Sequence, residues 1–142
     1  NKIFTYNKVD FFDDYAHHPT EIKVVLDGVS AAYKGYEKIC IFQPHRISRL
    51  KDLKKEFTHA FKNADNVVLL PIYTAGEKIE LGFSYINFAK EIIKNSKVKL
   101  FLVYDKFQLA KYIKNNIHGK KIVIGMGAGS ISLWMKELPK LL

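Results

Sequence analysis

Short apolar runs alternate with longer amphipathic stretches along this chain. The runs at 9–12, 38–43, 66–72, 98–104 and 121–124 are rich in Val, Ile and Phe, as in strands covered on both faces. Residues 2–6 alternate more strictly. They are expected to pair with 9–12 as an edge hairpin turning at Asn7-Lys8, a dipeptide of weak turn character. Between the runs, Ile22, Val25, Leu26, Val29 and Tyr33 keep the spacing of one helix face, with Pro19 in the first turn. Leu50, Leu53, Phe57, Ala60, Phe61 and Ala64 predict a second helix capped by Ser48. Residues 84–95 predict a third. Asp105 is expected to cap a fourth that buries Leu109, Tyr112 and Ile113 and ends near Gly119. Residues 130–138 form a short last one.

Strands alternating with helices predict an α/β fold. The expected architecture is a mostly parallel, Rossmann-like open sheet of about six strands with flanking helices and an antiparallel edge hairpin. A length of 142 residues fits one domain, 1–142. In open α/β sheets, ligands bind beyond the carboxyl ends of the strands. Four loops rich in polar or unusual residues fall there: 13–18, 44–46, 73–77 and 125–129.

Composition narrows the function classes. At 48% hydrophobic and 26% charged, the chain reads as an ordinary globular domain able to bury a core. No apolar run reaches the ~20 residues of a membrane-spanning helix, so no membrane partner is expected. Cys40 is the single cysteine and sits in an apolar run. It is expected to be a buried strand residue, which suits a reducing, cytoplasmic setting. The chain starts Asn1-Lys2-Ile3 without an initiator Met or signal pattern and is expected to be cut from a longer one.

A net charge of +9 raises the question of nucleic acid. Of the 23 basic residues, 21 are Lys, scattered over every segment, and two are Arg. A basic α/β nucleic-acid-binding module is the alternative reading, but the aromatic residues fall mainly in core-like periods, so no nucleic-acid partner is expected. The arginines, Arg46 and Arg49, stand out because they are three residues apart. A guanidinium grips a carboxylate or phosphate with two hydrogen bonds, and an ammonium does not.

Three motifs carry chemistry. Asp13-Asp14-Tyr15-Ala16-His17-His18-Pro19-Thr20 packs two carboxylates, a phenol and two imidazoles ahead of a helix. Such carboxylates can accept hydrogen bonds from ribose hydroxyls, and a His can donate to an anion. The same residues can also serve only as caps. A metal site is awkward, because adjacent histidines tend to point apart. Pro44-His45-Arg46-Ile47-Ser48-Arg49 reads as an anion grip at a helix N-terminus, suited to a small planar carboxylate. Gly125-Met126-Gly127-Ala128-Gly129-Ser130 lacks the third glycine of a dinucleotide loop and is read as a tight strand-to-helix turn. No P-loop pattern occurs. His59, His118 and Trp134 are assigned no site role; Trp134 is expected to pack the last helix on the sheet.

Together these blocks resemble the third domain of the Mur ligases. The run from Phe12 to Glu21 is similar to the signature of the alanine-adding branch. Phe42-Gln43-Pro44-His45-Arg46 with Arg49, the run from Leu70 to Glu77, and Gly127-Ala128-Gly129-Ser130-Ile131 are similar to three further blocks, in the same order. The resemblance implies an ATP-dependent amide ligase of peptidoglycan precursor synthesis that joins L-alanine to UDP-N-acetylmuramate through an acyl phosphate. ATP and Mg2+ would be bound mainly by a central domain outside this chain, and the sugar nucleotide by an N-terminal one. The resemblance further implies that Asp14 and Tyr15 contact the adenosine. His17, His45, Arg46 and Arg49 would bind the L-alanine. No catalytic residue and no metal ligand are expected in this chain, which alone should be inactive. Ile47 departs from the Tyr usual at that position, which puts an aromatic contact there in doubt. The branch that attaches a whole tripeptide in murein recycling is the nearest alternative, usually with Phe where this chain has Tyr15.

Overall fold

The computed structural model describes residues 1–78 and 83–142. The described residues form one six-stranded sheet in the order β1-β2-β6-β3-β4-β5. Its strands are β1 (Lys2–Tyr6), β2 (Val9–Asp14), β3 (Glu37–Phe42), β4 (Asn66–Leu69), β5 (Lys99–Leu102) and β6 (Lys121–Met126). Only the β1–β2 pair is antiparallel. Asn7 and Lys8 take φ of 50° and 64°, two left-handed residues in succession. That geometry matches the right-handed twist of a hairpin, so the expected edge hairpin forms despite its weak turn sequence.

The helices are α1 (Pro19–Ala32), α2 (Ile47–Asp52), α3 (Lys54–His59), α4 (Tyr85–Ser96), α5 (Lys106–Asn116) and α6 (Ile131–Glu137). The single helix expected over 50–64 is broken. Leu53 leaves the helical region at φ −117°, ψ 25°, ending α2 and starting α3, and its half-buried side chain packs on the core. Ser84 and Asp105 cap α4 and α5 by accepting from the Asn87 and Gln108 amides.

Side chains of period two divide between two layers. Cys40, Phe42, Val67 and Leu69 face α1, α3 and α4. Ile39, Ile41 and Val68 face α5 and α6. Burial raises the Cys40 thiol pKa, which keeps it a protonated core residue. Trp134 lies against the second layer, as expected. The edge strand β5 departs from two-sided burial: Phe101 is exposed.

Strand register aligns the functional loops. Asp14 pairs with Met126, Met126 with Phe42, Phe42 with Leu69, and Leu69 with Leu102. This row crosses five strands at their carboxyl ends. Whatever follows each residue therefore emerges along the same edge. One correction to the boundaries follows. β2 was expected to stop at Phe12, but Asp13 and Asp14 stay in the sheet because β6 continues through Gly125 and Met126 to pair with them.

Candidate amino-acid and nucleotide site

Asp14 is the last residue of β2, and its Oδ1 accepts the Ala16 N–H at 2.8 Å. That local turn buries Ala16 and leaves Tyr15 71% exposed. The carboxylate keeps lone pairs for a further donor. The turn leads into α1 (Pro19–Ala32), and the two amides just before the helix meet Glu21. Its Oε1 accepts from the His18 N–H at 3.0 Å and the His17 N–H at 3.3 Å. These two backbone donors, His17's first, hold the Glu21 carboxyl below the usual range. The His17 ring is thereby fixed at a helix entrance. Its Nδ1 lies 3.0 Å from the Tyr15 carbonyl, and its ring stands edge-on to that of Tyr15 at 5.6 Å.

The second block meets the first here. The His45 ring lies 5.9 Å from that of His17. Arg49 Nη1 lies 3.4 Å from His45 Nδ1, a long contact in which the guanidinium donates and the imidazole accepts. Partial burial, then the charges of Arg49, His17 and Arg46, push the His45 pKa down, against a weaker opposing pull from Glu77. His45 is therefore a neutral acceptor at pH 7. Arg46 is exposed and precedes α2 at φ 74°, ψ 130°, a region that side-chain-bearing residues rarely adopt.

The structure thus brings together Tyr15, His17, His45 and Arg49, with Arg46 at the N-terminus of the same helix as Arg49. It corrects two details of the expected anion grip. Ser48 caps no helix: its hydroxyl donates to Glu77 Oε2 at 2.6 Å, and its N–H to Glu77 Oε1 at 3.3 Å. The positive end of α2 therefore already holds a carboxylate from the loop after β4, which leaves the two guanidiniums as the free part of the grip. Ile47 is buried and lines a cavity shared with Pro71, Ile72 and Thr74.

Two residues, Gln43 and Tyr73, take up roles in the structure that no sequence motif assigned to them. Gln43 is buried at the end of β3. Its Nε2 donates to the Pro71 carbonyl at 3.2 Å and Ser130 Oγ at 2.9 Å, and its Oε1 accepts the Ile131 N–H at 2.9 Å. One amide thus joins three of the loops. Tyr73 stacks on His45 with centroids 5.3 Å apart. Gly129 makes that packing feasible, since a Cβ there would lie 2.6 Å from Tyr73 Cγ and 2.8 Å from Gln43 Oε1. The glycine run is a close-packed turn, as its sequence suggested. Asp13 accepts from Ser132 Oγ at 2.8 Å, tying β2 to α6. Among the described residues no group of three or more His, Cys, Asp or Glu is placed to hold a metal ion.

A profile of the family described as "Mur ligase, glutamate ligase domain" matches residues 2–129. The chain belongs to this family. The UDP-N-acetylmuramate–L-alanine ligase of Pelagibacter ubique is 72% identical over all 142 residues, which cover 31% of that protein. The ligase of the same name from Bartonella bacilliformis is 38% identical over 132 residues, 93% of this chain and 28% of its own length. The chain thus spans under a third of these curated relatives. Among solved structures, the UDP-N-acetylmuramate-alanine ligase of Thermotoga maritima matches 98% of the chain and 28% of its own length, with a TM-score of 0.71 at 22% identity. A murein peptide ligase from Psychrobacter arcticus matches 99% of the chain and 28% of its own length, with a TM-score of 0.76 at 18% identity. At these identities the two structures speak to fold alone, and the slightly higher score of the second does not choose between activities. The chain therefore has the Mur ligase C-terminal fold. No helix among the described residues is long and apolar enough to cross a membrane.

Proposed function

We propose that this Mur ligase domain serves an ATP-dependent ligase that joins L-alanine to UDP-N-acetylmuramate. The observation that carries this reading is the 72% identity to the Pelagibacter ligase over the whole chain. Tyr15, Glu21 and the His-Arg-x-x-Arg block favour it over the tripeptide-attaching branch.

The geometry supports a division of labour. Arg46 and Arg49 present two guanidiniums at one helix turn, suited to grip the carboxylate of the incoming amino acid by paired hydrogen bonds. His45, neutral and bonded to Arg49, holds that guanidinium in place. His17 lines the same space from the first loop. Gripped by its carboxylate, alanine leaves its amine free to attack the acyl phosphate of the sugar nucleotide, with phosphate as the leaving group. The domain's contribution is orientation rather than a nucleophile or base of its own. The exposed Tyr15 ring and the Asp14 carboxylate offer a stacking face and a hydroxyl acceptor to the adenosine of ATP. The triphosphate and its Mg2+ do not fit this chain: it has no P-loop and, among the described residues, no group of three or more His, Cys, Asp or Glu placed to hold a metal ion. These ions, the sugar nucleotide and catalysis itself belong to the remaining domains of a longer cytoplasmic protein.

Full-length protein incubated with ATP, UDP-N-acetylmuramate and L-alanine is expected to release ADP and form the alanyl sugar nucleotide, while residues 1–142 alone turn over nothing. Use of a murein tripeptide in place of alanine would overturn the reading.

A further inference from the structure

The loop after β4 grips the arginine block by a ladder of contacts. The Tyr73 N–H donates to the Pro44 carbonyl at 2.8 Å, and the Arg46 N–H donates to the Tyr73 carbonyl at 2.8 Å. Gln43 Nε2 reaches the Pro71 carbonyl at one end of the ladder, and Ser48 reaches Glu77 at the other. The loop is shaped for this. Ala75 and Gly76 take φ of 53° and 87°, and the Glu77 N–H closes the turn on the Thr74 carbonyl at 3.0 Å. The reversal points the Glu77 carboxylate back at the first turn of α2.

We infer that Glu77 is a positioning residue for amino-acid binding, holding Arg46 and Arg49 in their working orientation through its two-point bond to Ser48. Ser48 lies between the two arginines on the first turn of α2. Fixing it sets the direction of the helix start on which both guanidiniums stand. Arg46 needs such support, because its left-handed backbone persists only where neighbours over-determine it. The bond is built from a charged acceptor and two donors, which makes it stronger than a neutral pair. The Ser48 hydroxyl first, then the Ser48 and Ile47 amides and the Arg46 charge, keep the Glu77 carboxyl below the usual range, so it is ionised throughout the neutral region. With Glu77 satisfying the helix end, a substrate carboxylate is left to the arginines. A substrate without a carboxylate gains nothing from the arrangement.

This inference rests on the proposed grip of the alanine carboxylate by Arg46 and Arg49. The test is steady-state kinetics of full-length protein carrying Glu77→Gln, Ser48→Ala, Ser48→Thr, Arg46→Ala, and Glu77→Gln with Arg46→Ala. Glu77→Gln is expected to raise the alanine KM about tenfold, with kcat and the UDP-N-acetylmuramate KM within twofold of wild type. Ser48→Ala is expected to move the alanine KM the same way by a smaller factor, and Ser48→Thr, which keeps the hydroxyl, to restore it. Added to Arg46→Ala, Glu77→Gln should have a smaller effect than it has alone, because one of the two arginines it acts through is already gone. Full multiplication of the two effects, or a Glu77→Gln alanine KM within twofold of wild type, overturns the inference while leaving the arginine grip standing. A wild-type alanine KM in Arg46→Ala takes Arg46 out of the grip and overturns this inference with it.

Discussion

The imidazole rings of His17 and His45 lie 5.9 Å apart, at 63° to one another, although they follow strands that are not neighbours. β6 runs between β2 and β3, and the two loops meet above its end. The turn after β6 packs against the end of β3 and the loop after β4, where Gly129 meets Tyr73 and Gln43 at distances no side chain would allow.

His45 gives a prediction in pH. Burial and the Arg49 charge disfavour its protonated form, so it should titrate below the ordinary 6.5 in an NMR titration. Arg49→Ala removes one positive neighbour and should move the titration upward, with burial keeping it from full recovery. The linked stability is fully present above pH 6.5 and is lost as pH falls through the lowered folded value. A His45 titration unmoved by Arg49→Ala would contradict the account of Arg49 as its close positive neighbour.

Gln43 should matter to stability more than its size suggests. Gln43→Ala strands a buried Ile131 N–H and removes a bond from Pro71 and Ser130. A stranded buried donor costs about 1–3 kcal/mol, so urea unfolding should show at least that loss.

Much of the fold was readable in advance because hydrophobic period carries it. The strands, the two helical layers and the alignment of loops at one edge all follow from which residues are apolar and how they are spaced. Parts of the site were not readable, for reasons that are local. Asp13 and Asp14 look like loop residues until β6 is found to extend beside them. Ser48 looks like a cap because capping is the commonest role for a serine at a helix start. Its partner Glu77 comes from another loop, and no helical or strand period relates the two. The left-handed backbone of Arg46 is invisible in a sequence, since only glycine or asparagine would have signalled it. The Gly76 turn was the one available hint that the loop after β4 folds back.

Gly129→Ala separates packing from ligand contact. The added methyl would sit 2.6 Å from Tyr73 Cγ and should force that ring off His45. Melting temperature is expected to fall by several degrees, the scale of about 1–3 kcal/mol of overpacking. The alanine KM of the full-length protein should rise alongside it. A variant with lowered stability and wild-type alanine KM would show that the Tyr73–His45 stack is structural only.

The central claim is that Arg46 and Arg49 bind the amino-acid carboxylate, and one measurement addresses it directly. Alanine kinetics of full-length Arg46→Ala and Arg49→Lys should show KM raised about tenfold or more, on the scale of a lost charge-assisted hydrogen bond, with UDP-N-acetylmuramate binding unchanged. Arg49→Lys keeps the charge and loses only the planar fork, so its defect would identify paired hydrogen bonding as the cause. Wild-type alanine KM in both variants would contradict the claim.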